Sequence, residues 1–127
     1  MKPEIVAGRI KARKQLLGKT APGKVFRHYR SADIVKAWYT KNKRKYPLLS
    51  FRIMAQYLGF TSHAAILQLF TGRMKISPMI LPKYIKLMKL KGEEAHYFTM
   101  VVALERLRLD FTAQKAILQT WRKRRKG

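Results

Sequence analysis

Apolar residues recur every three or four positions along most of this 127-residue chain, and no segment alternates apolar and polar residues as a strand would. The clearest apolar stripe runs from Ile34 to Tyr39, with Ser31 in position to cap a helix and Pro47 in position to end it. Similar stripes follow at short intervals. The pattern predicts an all-α fold, a compact bundle of five or six short helices.

The next two apolar stripes are short and lie close together. Ser50 is placed to cap a helix that Gly59 ends, and a second helix is predicted from about His63 to Thr71, closed by Gly72. Two short helices joined by a tight turn, the second ended by glycine, form the core of a helix-turn-helix. The sequence therefore predicts a helix-turn-helix in the middle of the chain.

Two longer stripes follow this pair. A fourth helix is predicted to start at Ser77 and Pro78 or, because a proline inside a helix removes a backbone donor, at Pro82. A fifth helix is predicted from Glu93 to about Leu109. It is apolar on nearly all sides, which is typical of the most buried helix of a bundle.

The two ends of the chain differ in composition from its middle. Residues 1–30 are basic and interrupted by glycine and proline, which predicts an N-terminal arm, partly disordered, although a short helix opened by Pro3 also fits. A last helix, beginning at Asp110 or Thr112, leads into the charge run of residues 122–127, a basic C-terminal tail. The predicted organisation is one helix-turn-helix domain over residues 31–121 with a basic extension at each end.

Charge points to the kind of partner. The chain has 29 Lys and Arg against 6 Asp and Glu, a formal net charge of +23, and no acidic residue lies between Asp33 and Glu93. A cationic excess of this size favours nucleic acid as the partner, ahead of an acidic membrane or an acidic protein. The sequence has no cysteine and no apolar run long enough to span a membrane. We therefore expect a cytoplasmic, nucleoid-associated protein without disulfides and without a membrane partner.

Residues suited to catalysis are few. His28, His63 and His96 share no metal-ligand spacing, and Glu93 and Glu94 are adjacent at a helix start, where they suit the helix dipole rather than acid–base chemistry. The sequence also lacks a glycine-rich phosphate loop with its lysine, and it lacks a nucleophile elbow. We expect no enzymatic activity, no metal and no cofactor.

Nucleic-acid binding requires cations along the phosphates and side chains that reach base edges. The outward face of the second helix of the pair offers these candidates for base contact: Ser62, His63, Ala64, Leu67, Gln68 and Thr71. Only Gln68 can make a standard bidentate contact with a base, so weak sequence specificity is expected. Leu67 would instead belong to the core if the predicted outward face of the helix were off by one residue. The candidates for phosphate contact are Arg52, Arg73, Lys75, Lys83, Lys41, Lys43, Arg44, Lys45, Arg122, Lys123, Arg124 and Arg125.

Several short motifs occur along residues 26–108: the pair Trp38 and Tyr39, "SFR" at Ser50–Arg52, "GFTS" at Gly59–Ser62, "TGRMKIS" at Thr71–Ser77 and "GEEAHYF" at Gly92–Phe98. With these motifs the chain resembles the N-terminal half of a paralogous family of predicted bacterial regulators. The resemblance implies a regulator with a repressor-like helix-turn-helix, whose family joins that motif to a C-terminal domain of unknown function, expected to be missing here. The chain departs from the family at Lys89, which replaces a turn glycine, and at Pro78 and Pro82, which replace helix formers.

Three classes of function are open on this basis. The first is a double-stranded DNA-binding protein, either a site-specific transcription regulator or a weakly specific DNA-coating, architectural protein. The second is an RNA-binding or ribosome-associated basic protein. The third is a protein-interaction module with acidic partners, or a surface-seeking basic helix at Met1–Leu17. A homodimer is the usual way for a helix-turn-helix to gain specificity, but the sequence identifies no dimerisation face.

Overall fold

The computed structural model describes residues 15–126 of the chain, the last of them by its backbone only, and every regular element in this range is helical. Residues 15–19 are helical, and a short 3-10 turn covers Val25–Arg27. The α-helices that follow are α1, Ser31–Lys45; α2, Phe51–Leu58; α3, Ala64–Phe70; α4, Leu81–Leu87; α5, Glu93–Arg106; and α6, Phe111–Lys126. The all-α prediction is confirmed.

Helix α5 lies at the centre of the bundle, as its apolar composition predicts. It packs against α1, α4, α6 and the 3-10 turn, and it buries Tyr97, Phe98, Val101 and Val102. Helix α3 packs on α1 and α2, and α2 also packs on α4. The buried side chains of these helices form one hydrophobic cluster, which includes Trp38 of α1.

The start of α1 is held by a contact with α5 rather than by the cap predicted at Ser31. Ser31 is the first residue of the helix, and no side chain caps it. The Ser31 backbone N–H and hydroxyl donate hydrogen bonds of 2.6 and 2.7 Å to the carboxylate of Glu105, near the end of α5. Burial raises the pKa of Glu105, and the bonds from Ser31 oppose this shift. The capping prediction is wrong because Ser31 lies inside the first turn and Arg30 occupies the N-cap position, so the serine hydroxyl is directed to Glu105.

The α2–α3 pair forms where the sequence predicts it, with α3 one residue shorter at each end. The Ser50 hydroxyl accepts a hydrogen bond of 3.2 Å from the Ile53 N–H and so caps α2. Gly59, at φ 84°, ends α2 in the left-handed region, which glycine enters without steric cost. The Ser62 hydroxyl then accepts a hydrogen bond of 3.1 Å from the Ala64 N–H. The turn therefore sets the direction in which α3 begins.

Helix α4 begins at Leu81, so the predicted start at Ser77 and Pro78 is wrong and the alternative start at Pro82 is correct to within one residue. A turn precedes the helix, and in it the Ile80 N–H donates to the Ser77 hydroxyl at 3.3 Å. Pro82 occupies the first turn of the helix, where its missing N–H would have had no intrahelical partner. The proline therefore removes no helical hydrogen bond.

The boundary between α5 and α6 falls earlier than the sequence predicts. Helix α5 ends at Arg106 rather than near Leu109, and Arg108 takes a left-handed conformation with φ 58°. Helix α6 then follows Asp110, whose carboxylate accepts a hydrogen bond of 2.8 Å from the Ala113 N–H. Asp110, one of the two predicted starts, therefore caps α6.

Residues 15–30 belong to the folded body rather than to a free arm. Val25 is buried, and the Asn42 side chain of α1 forms two hydrogen bonds with the backbone of Ala21. These contacts attach the segment along the side of α1. The prediction of an arm over residues 1–14 lies outside the described residues.

The predicted C-terminal tail is helical through Lys126, because α6 continues past Trp121 without a break. The Trp121 ring lies 5.5 Å from the ring of Tyr97 and 6.1 Å from the ring of Phe26, measured between centroids. These contacts keep the last turns of α6 against the centre of the bundle. The prediction for Gly127 lies outside the described residues.

Lys89 connects the end of α4 with the segment before α1. It has φ 57°, in the left-handed region that glycine enters most readily. Its ammonium group donates hydrogen bonds of 2.7 and 2.6 Å to the carbonyls of Gly18 and Thr20. The lysine therefore accepts an unfavourable backbone conformation while its side chain holds a distant segment.

Candidate nucleic-acid interface

All of the residues predicted to contact bases are exposed, either on α3 or beside one of its ends. These exposed residues are Ser62, His63, Ala64, Leu67, Gln68 and Thr71. Leu67 is 50% exposed, whereas Ile66 and Leu69 beside it are buried. The predicted facing of the helix is therefore correct, and Leu67 does not belong to the core.

An aromatic cluster supports the inner face of α3. The Tyr39 and Phe51 ring centroids lie 5.0 Å apart, and Phe70 lies 5.9 Å from Tyr39 and 5.0 Å from Phe51. The tilted and edge-on arrangements of these rings are the favourable ones for aromatic pairs. Because the three rings come from α1, α2 and α3, the cluster holds the exposed helix against two others.

Two exposed arginines flank α3, one at each end. Arg52, on α2, lines a shallow polar depression beside the start of α3 together with Gln56 and Thr61. Arg73 follows the helix, after Gly72 has turned the chain at φ 80°. Gln56 and Thr61 are surface neighbours of this helix that were not predicted from the sequence. The spacing of four residues between Arg52 and Gln56 on an exposed face of α2 is the signal that could have found Gln56.

Two other predicted phosphate contacts are bonded to backbone carbonyls. The Lys75 ammonium donates to the carbonyl of Glu105 at 2.9 Å, and the Lys83 ammonium donates to the carbonyl of Leu58 at 3.5 Å. An ammonium group has three donors, so each lysine retains donors for another acceptor. These lysines connect elements of the fold, and their contact with phosphate stays a prediction.

The cations predicted at the end of α1 divide into two kinds. Lys41 donates to the carbonyl of Pro22 at 2.9 Å, and Lys43 donates to two carbonyls of the loop after the helix. Arg44 and Lys45 are exposed. The Lys43 bonds satisfy carbonyls of the loop at the C-terminus of α1, and the Lys41 bond attaches the segment before α1. Positive charge at a helix C-terminus is also favoured by the helix dipole. Lys41 is exposed as well, so Lys43 is the half-buried cation of this tract.

The cations at the end of α6 divide in a similar way. Arg125 is half-buried, forms a salt bridge of 2.8 Å with Glu93, and places its guanidinium carbon 4.0 Å from the centre of an aromatic ring. Arg122 is also half-buried, beside a second aromatic side chain. Lys123 and Arg124 are exposed. The run is thus a helical surface with two cations packed inward and two facing solvent.

Acidic partners for the basic side chains are scarce. Within residues 15–126, the pair Arg125 and Glu93 is the salt bridge that the structure contains. The sequence has 29 Lys and Arg for 6 Asp and Glu, so most cations have no carboxylate to neutralise them. Their mutual repulsion decreases when a polyanion binds.

The described residues contain neither a metal-binding group nor a membrane span. No three of their His, Asp and Glu side chains lie close enough together to hold a metal ion. None of the helices within residues 15–126 combines the length and the apolar composition needed to cross a bilayer. The α3 face and its flanking cations are therefore the strongest candidate site in this range.

Comparison with known proteins finds no match to this chain among family models, curated proteins or solved structures. The resemblance to bacterial regulators therefore stays a prediction that depends on the motifs quoted above. The structure supports the coarser description, an all-α protein with an exposed short helix between two exposed arginines.

Proposed function

We propose that the protein binds double-stranded DNA through a helix-turn-helix formed by α2 and α3, with α3 in the major groove. One observation carries the proposal: α3 is exposed, with Arg52 beside its start and Arg73 beyond its end. The 7 residues of α3 span about 10 Å, and a major groove is about 12 Å wide. Cations at the two ends of such a helix are suited to the phosphates on the two sides of the groove.

The chemistry of the α3 face favours weakly specific binding. Gln68 suits a bidentate contact with adenine, His63 suits a single hydrogen bond, and Ala64 and Leu67 suit the methyl group of thymine. The Thr71 hydroxyl already donates to the carbonyl of Gln68 at 3.2 Å. We therefore propose a DNA-coating or architectural role ahead of site-specific transcription regulation. The resemblance to bacterial regulators is the main argument for the second role.

Fluorescence anisotropy with labelled duplexes of several sequences tests the proposal. Arg73→Ala should lower the affinity for every duplex by a similar factor, and it should reduce the slope of log affinity against log salt by about 1, since one phosphate contact is lost. Lys19→Ala removes an equal charge from an exposed residue before α1 and is the matched control. Its effect on affinity and slope should be smaller.

Each measurement has an outcome that contradicts the proposal. Equal losses for Arg73→Ala and Lys19→Ala would show that binding is not localised at α3. Tighter binding of duplex RNA than of duplex DNA in the same salt would replace the proposal with an RNA-binding function. An affinity that does not change with salt would remove the electrostatic argument.

The choice between the two DNA-binding roles depends on base contacts. If Gln68→Ala and His63→Ala leave the ranking of duplex sequences unchanged, the site-specific role is excluded. A changed ranking would favour the regulator. Mapping of bound sites over a genome gives an independent answer, because a regulator should give sharp peaks and an architectural protein a broad profile.

A further inference from the structure

Tyr29, in the segment before α1, is surrounded by donors from α6. Its hydroxyl accepts a hydrogen bond of 2.7 Å from the Arg122 guanidinium and a longer one of 3.5 Å from the Gln119 amide. The Arg122 guanidinium carbon and the Lys115 ammonium nitrogen each lie 5.4 Å from the centre of the Tyr29 ring. Cations at this distance are attracted by the ring face. The tyrosine therefore contacts two cations and one neutral amide, which come from three successive turns of one helix.

These groups border a surface depression without a negative group. The depression is lined by Tyr29, Gln119, Arg122 and Lys123, and Lys115 lies one turn before Gln119 on the same helix. Residues at these spacings lie on one face of an α-helix. None of the lining residues is acidic.

The depression offers hydrogen-bond donors to an anion. The Arg122 guanidinium has five N–H groups, and its bond to Tyr29 uses one nitrogen. The Tyr29 hydroxyl is the acceptor in both of its bonds, so its own proton is available to donate. Bonds from such donors to phosphate oxygens are charge-assisted and are stronger than neutral ones.

We propose that Tyr29, Lys115, Gln119, Arg122 and Lys123 form a second phosphate-binding site, called here the α6 phosphate site, which holds the nucleic-acid backbone beyond α3. The inference rests on the proposed function, because the phosphate in question is that of a bound duplex. It adds Tyr29, Lys115 and Gln119 to the interface. It also gives Arg122, which is half-buried, a defined position in phosphate binding.

A continuous surface connects the α6 phosphate site with the end of α3. Arg30, next to Tyr29, places its guanidinium carbon 4.0 Å from the centre of the Phe111 ring at the start of α6. Both residues line a groove that also reaches Gly72 and Lys75, which follow α3. The groove also includes Glu105, whose carboxylate bonds Ser31, so cations lie on both sides of one acidic residue along this surface. Helix α6, whose 16 residues extend over about 24 Å, continues the surface. That length corresponds to about seven base pairs of duplex at 3.4 Å per step.

The lysines of the site provide the first test, because both are exposed and neither supports the core. The test variant carries Lys115→Gln and Lys123→Gln together. Anisotropy titrations with a labelled duplex at several salt concentrations give the slope of log affinity against log salt. This slope should be smaller by about 2 in the double variant than in the unaltered protein. The matched control is Lys19→Gln with Lys86→Gln. Lys19 and Lys86 are exposed and lie at or beside a different depression, lined by Leu17, Gly18 and Tyr57. The control should change the slope by less than half as much.

Tyr29→Phe provides a second test that leaves the net charge unchanged. The variant keeps the ring and removes the hydroxyl, so duplex affinity should fall by about threefold to tenfold if the hydroxyl donates to phosphate or positions Arg122. Tyr57→Phe, in the depression of the control lysines, should leave the affinity unchanged. Thermal unfolding of both variants checks the fold. If Tyr29→Phe is unstable, the lysine variant decides alone.

The outcomes separate this site from the proposed function. A lysine variant with the same slope as its control would overturn the α6 phosphate site, and so would a stable Tyr29→Phe with unchanged affinity. If the unaltered protein binds no duplex at all, the proposed function fails first. If duplex binding depends on Arg73 while the α6 variants behave like their controls, only the α6 phosphate site is refuted.

Discussion

Replacing Asn42 with alanine should loosen the segment before α1 from the rest of the bundle. Asn42 is 2% exposed, and its side chain makes three hydrogen bonds. Its Oδ1 accepts from the Ala21 N–H at 2.8 Å, and its Nδ2 donates to the carbonyls of Ala21 and Trp38, each at 2.9 Å. One amide therefore satisfies both backbone groups of Ala21.

The magnitude follows from the bonds that are lost. Each hydrogen bond contributes about 1 kcal/mol net, and a buried partner left without one costs somewhat more. The Trp38 carbonyl lies inside α1, where a helical partner is available, so the loss falls mainly on the two groups of Ala21. The higher helix propensity of alanine offsets about 0.5 kcal/mol. We expect Asn42→Ala to lower the free energy of unfolding by about 2 kcal/mol, which corresponds to a Tm lower by roughly 6 to 10 °C.

Urea unfolding followed by circular dichroism measures this change. Thr40→Ala, at an exposed position of the same helix, is the control and should stay within about 0.5 kcal/mol of the unaltered protein. Asn42→Asp tests the donors separately, because aspartate keeps the shape and one acceptor but turns a second oxygen toward the two carbonyls. The folded state disfavours the negative charge of this aspartate and so raises its pKa above the value in the unfolded chain. Asn42→Asp should therefore be least stable at neutral pH and should regain stability as the pH falls and the carboxyl is protonated.

Two results would refute this reasoning. One is an Asn42→Ala variant whose unfolding free energy matches that of Thr40→Ala, because the three bonds would then contribute nothing. The other is an Asn42→Asp variant as stable as the unaltered protein at pH 7. Either result would mean that water replaces the Asn42 amide at the backbone of Ala21 without loss.

Three further predictions concern strained backbone positions and a buried phenol. Lys89→Gly should be more stable than Lys89→Ala by about 1 kcal/mol in urea unfolding. Both variants lose the ammonium bonds, but only glycine adopts φ 57° without strain. Equal stabilities of the two variants would contradict this. Gly72→Ala should lower stability by about 1 kcal/mol because of φ 80°, although no atom lies within 4 Å of the added methyl, and an unchanged Tm would oppose it. Burial raises the pKa of Tyr97 to about 12, whereas the unfolded chain ionises near 10. Stability should therefore fall as the pH rises between these values, and less steeply in Tyr97→Phe; identical slopes would count against burial as the cause.

The α2–α3 pair could be predicted because its signals are local. The Ser50 hydroxyl caps α2 by accepting from the N–H of Ile53, three residues later. Gly59 and Gly72 supply the positive φ at the ends of the two helices. Ser31 carries the same kind of signal, yet its donors bond the Glu105 carboxylate instead. Ser31 does not cap because the helix begins one residue earlier than the cap position requires, and the sequence does not show that a contact with Glu105 holds this start.

Asn42 could have been found from the apolar stripe of α1. It lies four residues after Trp38 and seven after Val35, which places it on the buried side of the helix. The basic residues around it make it look like a member of an exposed tract. A polar residue on a buried stripe indicates a specific hydrogen-bond partner, but the identity of that partner, Ala21, is visible only in the fold.

The sequence by itself determined the all-α class, the short helix pair, the outward face of α3 and the excess of positive charge. These properties depend on residue spacing, on capping residues and on composition, which all act over a few positions. Only the tertiary structure decided which cations face solvent, how residues 15–30 attach to the bundle, and that Tyr29 meets α6. Those outcomes depend on pairs of residues tens of positions apart, and a local pattern holds no information about which distant group a lysine or a tyrosine will contact.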